Sequence, residues 1–219
     1  MLGGWGEFLL AFAVFFLSHS IPTRPGVKAA LVGRLGARGF TLAYSALSTA
    51  VLAWVIFAAA RAPIVILWPW AMWQNHVPVT AMALAVAIAV LAIGRPNPLS
   101  FGGAKNDRFD PRNPGLAGWI RHPLLVALAL WAGSHLVPNG NLAHVILFGL
   151  FGGFALMGMK LIDRRQKRLL GAQEWARLSN TTRRIAPSVN GVARLVLAGV
   201  IYLGLLHLHG PVLGVYPLP

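Results

Sequence analysis

The stretch VPVTAMALAVAIAVLAIG, Val77–Gly94, contains no charged residue, and it decides the class of fold. An uninterrupted apolar run of this length is long enough to cross a bilayer as a helix. Barrel strands are shorter and alternate in polarity, which this run does not. Five further runs of similar character follow the same pattern: Leu2–His19, Phe40–Ala60, Leu116–Val137, Leu142–Leu161 and Val192–Leu208. The sequence therefore predicts an all-α, polytopic membrane helix bundle of about six transmembrane helices, forming a single domain over residues 1–219.

The composition supports a membrane protein and excludes several other classes. Of the 219 residues, 57% are hydrophobic and only 11% are charged, whereas about a quarter of the residues of a soluble domain are charged. The formal net charge is +14, but a chain this apolar is not typical of nucleic-acid binders, so we expect no nucleic-acid partner. The absence of cysteine excludes disulfides, cysteine-based zinc sites and thiol nucleophiles. Five carboxylates are too few to favour a carboxylate-rich metal site.

The basic residues are distributed unequally between the two predicted sides. Of the 19 Lys and Arg, all except Arg61 fall in the first, third or fifth connection or at the start of the last run. Basic residues accumulate in cytoplasmic loops. We therefore expect these connections in the cytoplasm, both termini outside it, and the bilayer, including its anionic lipids, as the main partner.

Two connections and one helix start carry further expectations. The connection Arg95–Pro114 is rich in Pro, Gly and Asn, which predicts ordered turns. The basic segment Asp163–Trp175 predicts an amphipathic helix at the membrane surface. A proline follows His122, so the fourth helix either begins at Pro123 or begins near Leu116 and kinks at the proline. We favour the kinked version, because Pro123–Val137 would reach only roughly 22 Å.

Seven histidines in so apolar a chain are the candidates for chemistry. His19 ends the first run on the same helical face as several phenylalanines, His122 precedes Pro123, and His135 lies one turn after Trp131. Neutral imidazole is a good axial ligand for haem iron, and without cysteine a haem here would have two histidines or a histidine and a methionine. The spacing of the histidines matches no zinc motif. By predicted depth in the membrane, His19 pairs best with His122.

Several segments resemble the NnrU family. They are Gly115–Pro123, Leu130–Leu136, Asn139–Asn141 and Leu147–Gly149, together with His19-Ser20, Arg34–Gly36 and Leu161–Arg165. The resemblance covers nearly the whole chain. It implies a multi-pass protein of the bacterial inner membrane, connected with denitrification and nitrogen-oxide metabolism.

The NnrU family is also similar to the plant zeta-carotene isomerase, a membrane enzyme that uses haem b to isomerise a cis double bond. This similarity implies a haem b cofactor and an apolar small-molecule substrate. The histidines that ligate iron in that relative match His19 and His135 here, and a cysteine that exchanges as ligand there matches Ala132. The depth estimate favours His122 instead, so His19, His122 and His135 stay alternatives for two axial positions. Arg121 is a further candidate cofactor-binding residue.

A second similarity gives the alternative function. Arg121–Pro123 at a helix start, followed by a basic segment near Glu174, is similar to membrane methyltransferases that use S-adenosylmethionine. Glu174 lacks the second acidic residue of those enzymes, and Leu125 stands where an aromatic residue is usual. A non-catalytic membrane accessory factor is the other alternative. The sequence indicates neither the substrate nor the oligomeric state.

Overall fold

A computed structural model describes residues 4–184 and 187–218, which form six α-helices joined by turns. The helices are α1 (Trp5–Ser20), α2 (Pro25–Arg61), α3 (His76–Ala92), α4 (Pro123–Leu136), α5 (Leu142–Ser179) and α6 (Val189–Leu213). Within those ranges there is no strand, only an isolated bridge between Ile66 and Asn141. The predicted all-α class is confirmed.

Among the described residues, four segments are long and apolar enough to cross a membrane, which is typical of a membrane protein. They are Pro25–Arg61, Met72–Ala92, Leu142–Ser179 and Val189–Leu213. Helices α1 and α4 are also apolar, but they have only 16 and 14 residues. Spans at α1 and α4, and hence the count of six, therefore stay predictions. Leu2, where the first predicted span begins, lies outside the described residues.

Helices α2 and α5 are longer than the apolar runs within them, and each is interrupted at one glycine. Gly36 has φ 70° and ψ 164°, and Gly171 has φ 78° and ψ 166°. This region of backbone space is essentially restricted to glycine. The segment Asp163–Trp175 is helical, as predicted, but residues 163–170 continue α5 and the break falls at Gly171. Its location at the membrane surface stays a prediction.

The favoured start of the fourth helix is also wrong. Helix α4 begins at Pro123, and residues Gly115–Gly118 form a separate 3-10 turn. His122 has φ −116° and ψ 66°, outside the helical region. Proline disfavours the helical conformation in the residue before it and is well suited to the first helical position. These two local preferences of proline place the helix start at Pro123, although a start near Leu116 would have given a longer helix.

The chain divides into two compact units. The first is Met1–Trp68 with Gly140–Leu147. In it α1 packs on α2, with Phe8 and Val55 buried. The carboxylate of Glu7 pairs with Arg61 and accepts a hydrogen bond from the Trp54 indole at 3.2 Å. This unit therefore places α1 against the C-terminal half of α2.

The second unit is Pro69–Asn139 with Phe148–Pro219, in which α3 packs against both α4 and α6. Only 6% of the most apolar window of α6 is buried. Two polar contacts attach this helix to α3. The Tyr202 hydroxyl donates to the Val79 carbonyl at 2.9 Å, and one Arg194 nitrogen donates to the carbonyls of Val90 and Ile93 at 2.6 and 2.9 Å.

The connection between α3 and α4 consists of ordered turns, as predicted for Arg95–Pro114. It contains one short 3-10 turn, Asn106–Arg108. The carboxylate of Asp110 accepts hydrogen bonds from the Arg112 backbone N–H at 2.9 Å and the Asn113 amide at 3.0 Å. These two donors lower the pKa of Asp110, because they favour its ionised form. The connection thus holds its shape through its own side chains.

Candidate histidine sites

His19 lies in the last turn of α1, and its ring is oriented by its own helix. The Nδ1 atom is 2.7 Å from the carbonyl oxygen of Phe15, one turn earlier. The Ser18 hydroxyl donates to the same carbonyl at 3.0 Å. The imidazole stacks on the Phe15 ring, with centroids 4.0 Å apart, and meets the Tyr44 ring edge-on at 5.9 Å. His19 is therefore held in one orientation within an aromatic environment.

His135 lies in the last turn of α4 and repeats this arrangement. Its Nδ1 atom is 2.8 Å from the carbonyl oxygen of Trp131, and the Ser134 hydroxyl donates to that carbonyl at 3.2 Å. The Trp131 and Phe148 rings lie 5.8 and 5.3 Å from the imidazole, centroid to centroid. Two helices thus end in the same local structure, which we call the aromatic–Ser–His turn (residues 15–19 and 131–135).

The aromatic–Ser–His turn determines which ring nitrogen is available. A carbonyl oxygen only accepts hydrogen bonds, so each Nδ1 carries a proton, and in the neutral imidazole the lone pair is then on Nε2. Within the described residues, neither Nε2 makes a hydrogen bond. Histidines that ligate metals characteristically donate their other ring N–H to a carbonyl or carboxylate. Both His19 and His135 therefore have the form of metal-ligating imidazoles.

His122 has a different environment. Its side chain is 5% exposed. The Nε2 atom is 2.9 Å from Asp163 Oδ1, and the Nδ1 atom is 3.0 Å from the Ser100 hydroxyl. Both ring nitrogens are therefore occupied by protein groups. Ser100 and Asp163 were not among the predicted site residues, and no local motif indicates them, since they lie 22 and 41 residues from His122.

Arg121 shares the carboxylate with His122. Its Nη1 atom donates to Asp163 Oδ2 at 2.9 Å, and its guanidinium lies 5.3 Å from the centre of the Trp175 ring. The Arg121 backbone carbonyl accepts a hydrogen bond from the Asn97 amide at 2.9 Å. The start of α4, the middle of α5 and the connection after α3 are thereby joined through Asp163, in what we call the Asp163 network (Asn97, Ser100, Arg121, His122, Asp163 and Trp175).

The structure groups the predicted site residues unequally. Arg121 and His122 meet at Asp163. His122 and His135 lie at opposite ends of α4, about 20 Å apart along the helix axis, so one iron cannot bind both. His19 belongs to the first compact unit and the other three to the second. No group of three or more His, Asp or Glu side chains suited to a metal ion occurs in residues 4–184 and 187–218.

The fold defines the class: an all-α protein of membrane type, with apolar helices long enough to span a bilayer and with part-buried histidines in the last turns of α1 and α4. The family model described as NnrU protein matches residues 7–217. The chain belongs to the NnrU family, as the resemblance in its sequence indicated. No curated protein and no solved structure matches it.

Proposed function

We propose that this NnrU-family protein binds haem b, with His19 and His135 each a candidate iron-binding imidazole, and acts on an apolar substrate in the bacterial inner membrane. The observation that carries the proposal is the aromatic–Ser–His turn. It occurs at both positions and leaves both Nε2 atoms without a hydrogen bond in the described chain.

The residues present suit the chemistry of haem. Neutral imidazole is a strong axial ligand, and aromatic side chains favour a flat apolar ring. Around His19 these are Phe15 and Tyr44, and around His135 they are Trp131 and Phe148. When bound, haem iron would supply the electronic change that lowers the barrier to rotation about a double bond. The chain would hold the ligands, orient their rings and exclude water.

The Asp163 network supports leaving His122 out of the proposed iron ligands. Ligation by His122 would break a buried hydrogen bond to Ser100 or Asp163, whereas His19 and His135 lose nothing. The network also gives Arg121 a role in ordering the fold. Glu174, which methyl transfer would require, pairs with Arg177 at 2.6 Å. A role in nitrogen-oxide metabolism, which the family resemblance implied, stays a prediction.

The proposal includes the arrangement in the membrane. We infer six spans, with α1 and α4 as the short ones and both termini outside the cytoplasm. What supports it is the charge distribution, since Arg61 alone among the 19 Lys and Arg falls outside the predicted cytoplasmic connections.

The test of haem binding is an absorption spectrum of the full-length protein, purified in detergent after expression with added haem precursor. We expect a Soret band with the sharp α and β bands of a low-spin iron in the reduced state. His19→Gly and His135→Gly should each lose most of the bound haem, and added imidazole should restore it. His122→Gln is the matched control, because an amide can still bond to Ser100 or Asp163.

The absence of a Soret band in the unmodified protein would overturn the proposal. So would a band that survives both glycine substitutions unchanged. If the band is present, the substrate class is tested by incubating the reduced protein with a cis polyene and with a soluble nitrogen oxide. Conversion of the polyene alone supports the isomerase-like function, and turnover of the nitrogen oxide alone contradicts it.

A further inference from the structure

A partly open cavity of about 400 Å³ lies beside the Asp163 network, on the side of Arg121. It is bordered by the connection after α3, the residues before α4 and the segment that follows α5. The polar side chains that line it include those of Asn97, Arg121, Asn180, Thr181 and Arg183. Neither His19 nor His135, the proposed haem ligands, lines this cavity.

The lining is cationic. It contains two arginines and no carboxylate. Asp163 contacts Arg121 but is not part of the lining, so it fixes the arginine without occupying the cavity. The Arg121 guanidinium also lies over the Trp175 ring, 5.3 Å from its centre. Arg121 is thereby pre-oriented, and 40% of its side chain is still exposed.

Several lining groups have hydrogen-bonding capacity that the protein does not use. Within the described residues, the Arg183 guanidinium, the Asn180 amide and the Thr181 hydroxyl make no side-chain hydrogen bond. Their segment is nevertheless attached to the rest of the unit. The Thr182 N–H donates to the Pro111 carbonyl at 3.0 Å, and its hydroxyl donates to the Arg112 carbonyl at 2.6 Å. The unused donors are therefore held at the cavity.

Gly118 shows how closely the segment after α5 packs against the residues before α4. A Cβ atom added there would collide with the carbonyl oxygen of Thr182. The residues before α4 and the segment after α5 thus approach each other backbone to backbone. This contact forms one side of the cavity, since Gly118 also belongs to its lining.

We propose that the cavity binds a phosphate group, carried by a lipid headgroup or by a soluble phosphate ester. Guanidinium groups bind phosphate oxygens through paired, charge-assisted hydrogen bonds. Arg121 and Arg183 provide two such groups, and the neutral donors of Asn180 and Thr181 complete the set. Basic pockets beside membrane helices are a known setting for phosphate headgroups.

The experiment uses the full-length protein and compares Arg183→Gln with Arg184→Gln. Arg183 lines the cavity, whereas its neighbour Arg184 carries the same charge outside the lining. In the first arm, inorganic phosphate is titrated into detergent-solubilised protein by calorimetry. In the second, the retention of phosphatidylglycerol against phosphatidylcholine is measured by native mass spectrometry. We expect Arg183→Gln to weaken binding about tenfold, the loss of one or two charge-assisted hydrogen bonds, and Arg184→Gln to leave it unchanged.

A loss confined to the phosphatidylglycerol arm supports the proposal and assigns the phosphate to lipid. A loss confined to the inorganic phosphate arm supports it and assigns a soluble source. Equal losses in Arg183→Gln and Arg184→Gln overturn it, because the attraction then belongs to the basic surface in general. Absence of binding in both arms also overturns it. Neither arm requires haem, so failure here is distinct from failure of the proposed function.

Discussion

At the scale of single residues, Asp163 connects two neighbouring side chains at the start of α4. It pairs with the buried His122 and with the guanidinium of Arg121, and these two contacts connect α5 to the start of α4. Removing one partner of a buried polar network leaves the other groups unsatisfied, which costs more than the hydrogen bond itself contributed. The network therefore predicts a specific loss of stability.

We expect Asp163→Asn to lower the free energy of unfolding by about 1–3 kcal/mol, because charge-assisted hydrogen bonds contribute more than neutral ones. The measurement is denaturant-induced unfolding of the detergent-solubilised protein, followed by tryptophan fluorescence. Glu174→Gln is the control on the same helix. Its ion pair with Arg177 is exposed, so the unfolding midpoint should not move. Equal shifts in the two variants would contradict a special role for Asp163.

The sequence showed His122 and Arg121 but could not show Asp163 or Ser100 beside them. Such contacts depend on how segments that are distant in the sequence approach each other in the fold. Residue spacing along the chain does not predict this approach. The aromatic–Ser–His turn is different, because its hydrogen bonds all lie within four residues. It was visible as Phe-x-x-Ser-His and Trp-x-x-Ser-His, and the repetition could have been found before the structure was known.

At the scale of elements, the two glycine breaks explain how long helices accommodate both apolar and basic segments. After Gly171, the last residues of α5 form a helical segment that brings Trp175 to the Arg121 guanidinium. No atom within 4 Å would obstruct a Cβ at Gly36 or at Gly171. The requirement for glycine at these positions is therefore one of backbone conformation and not of space.

We expect Gly171→Ala to destabilise the protein by about 1–3 kcal/mol, the usual strain of an L-residue in this conformation. Gly33→Ala is the matched control, since Gly33 is helical and a Cβ there also meets nothing within 4 Å. This control should gain about 0.5–1 kcal/mol, because alanine is the better helix former. Unfolding midpoints of both variants provide the measurement. A gain at Gly171 as well would show that α5 runs straight through the glycine.

The element starts and ends were harder to predict than the elements themselves. All six apolar runs lie largely within helices, because periodic or continuous apolarity persists over many residues. The start of α4 depended on a competition between span length and the local preference of Pro123. Hydropathy alone predicted the wrong helix start, near Leu116. The non-helical backbone of His122 shows that the local preference of Pro123 is the stronger effect.

At the scale of the whole molecule, the proposed arrangement in the membrane is inferred from the distribution of charge. Cysteine is absent from the chain, so single cysteines can be introduced without a background. Met72 and Val215 are exposed, at 60% and 58%, and belong to the side proposed to face away from the cytoplasm. Arg108 and Lys167 belong to the opposite side.

We expect Met72→Cys and Val215→Cys to react with a membrane-impermeant maleimide in intact spheroplasts. Arg108→Cys and Lys167→Cys should react only after the membrane is permeabilised. The measurement is the mass shift of the purified protein. The reverse pattern would invert the proposed orientation, and equal labelling of Met72→Cys and Lys167→Cys would contradict the number of spans between them.

The attachment of α6 has a consequence for how the protein is made. This helix is apolar enough to enter the bilayer unaided, and very little of it is buried by the rest of the chain. Tyr202 and Arg194 attach it to α3 and to Ile93 just beyond α3, through backbone carbonyls that are present as soon as α3 is helical. During synthesis, α6 can therefore leave the translocon as an independent segment and join a preformed α3 afterwards. Insertion and assembly are then separate steps, and the second is completed by a few hydrogen bonds from the N-terminal part and the middle of α6.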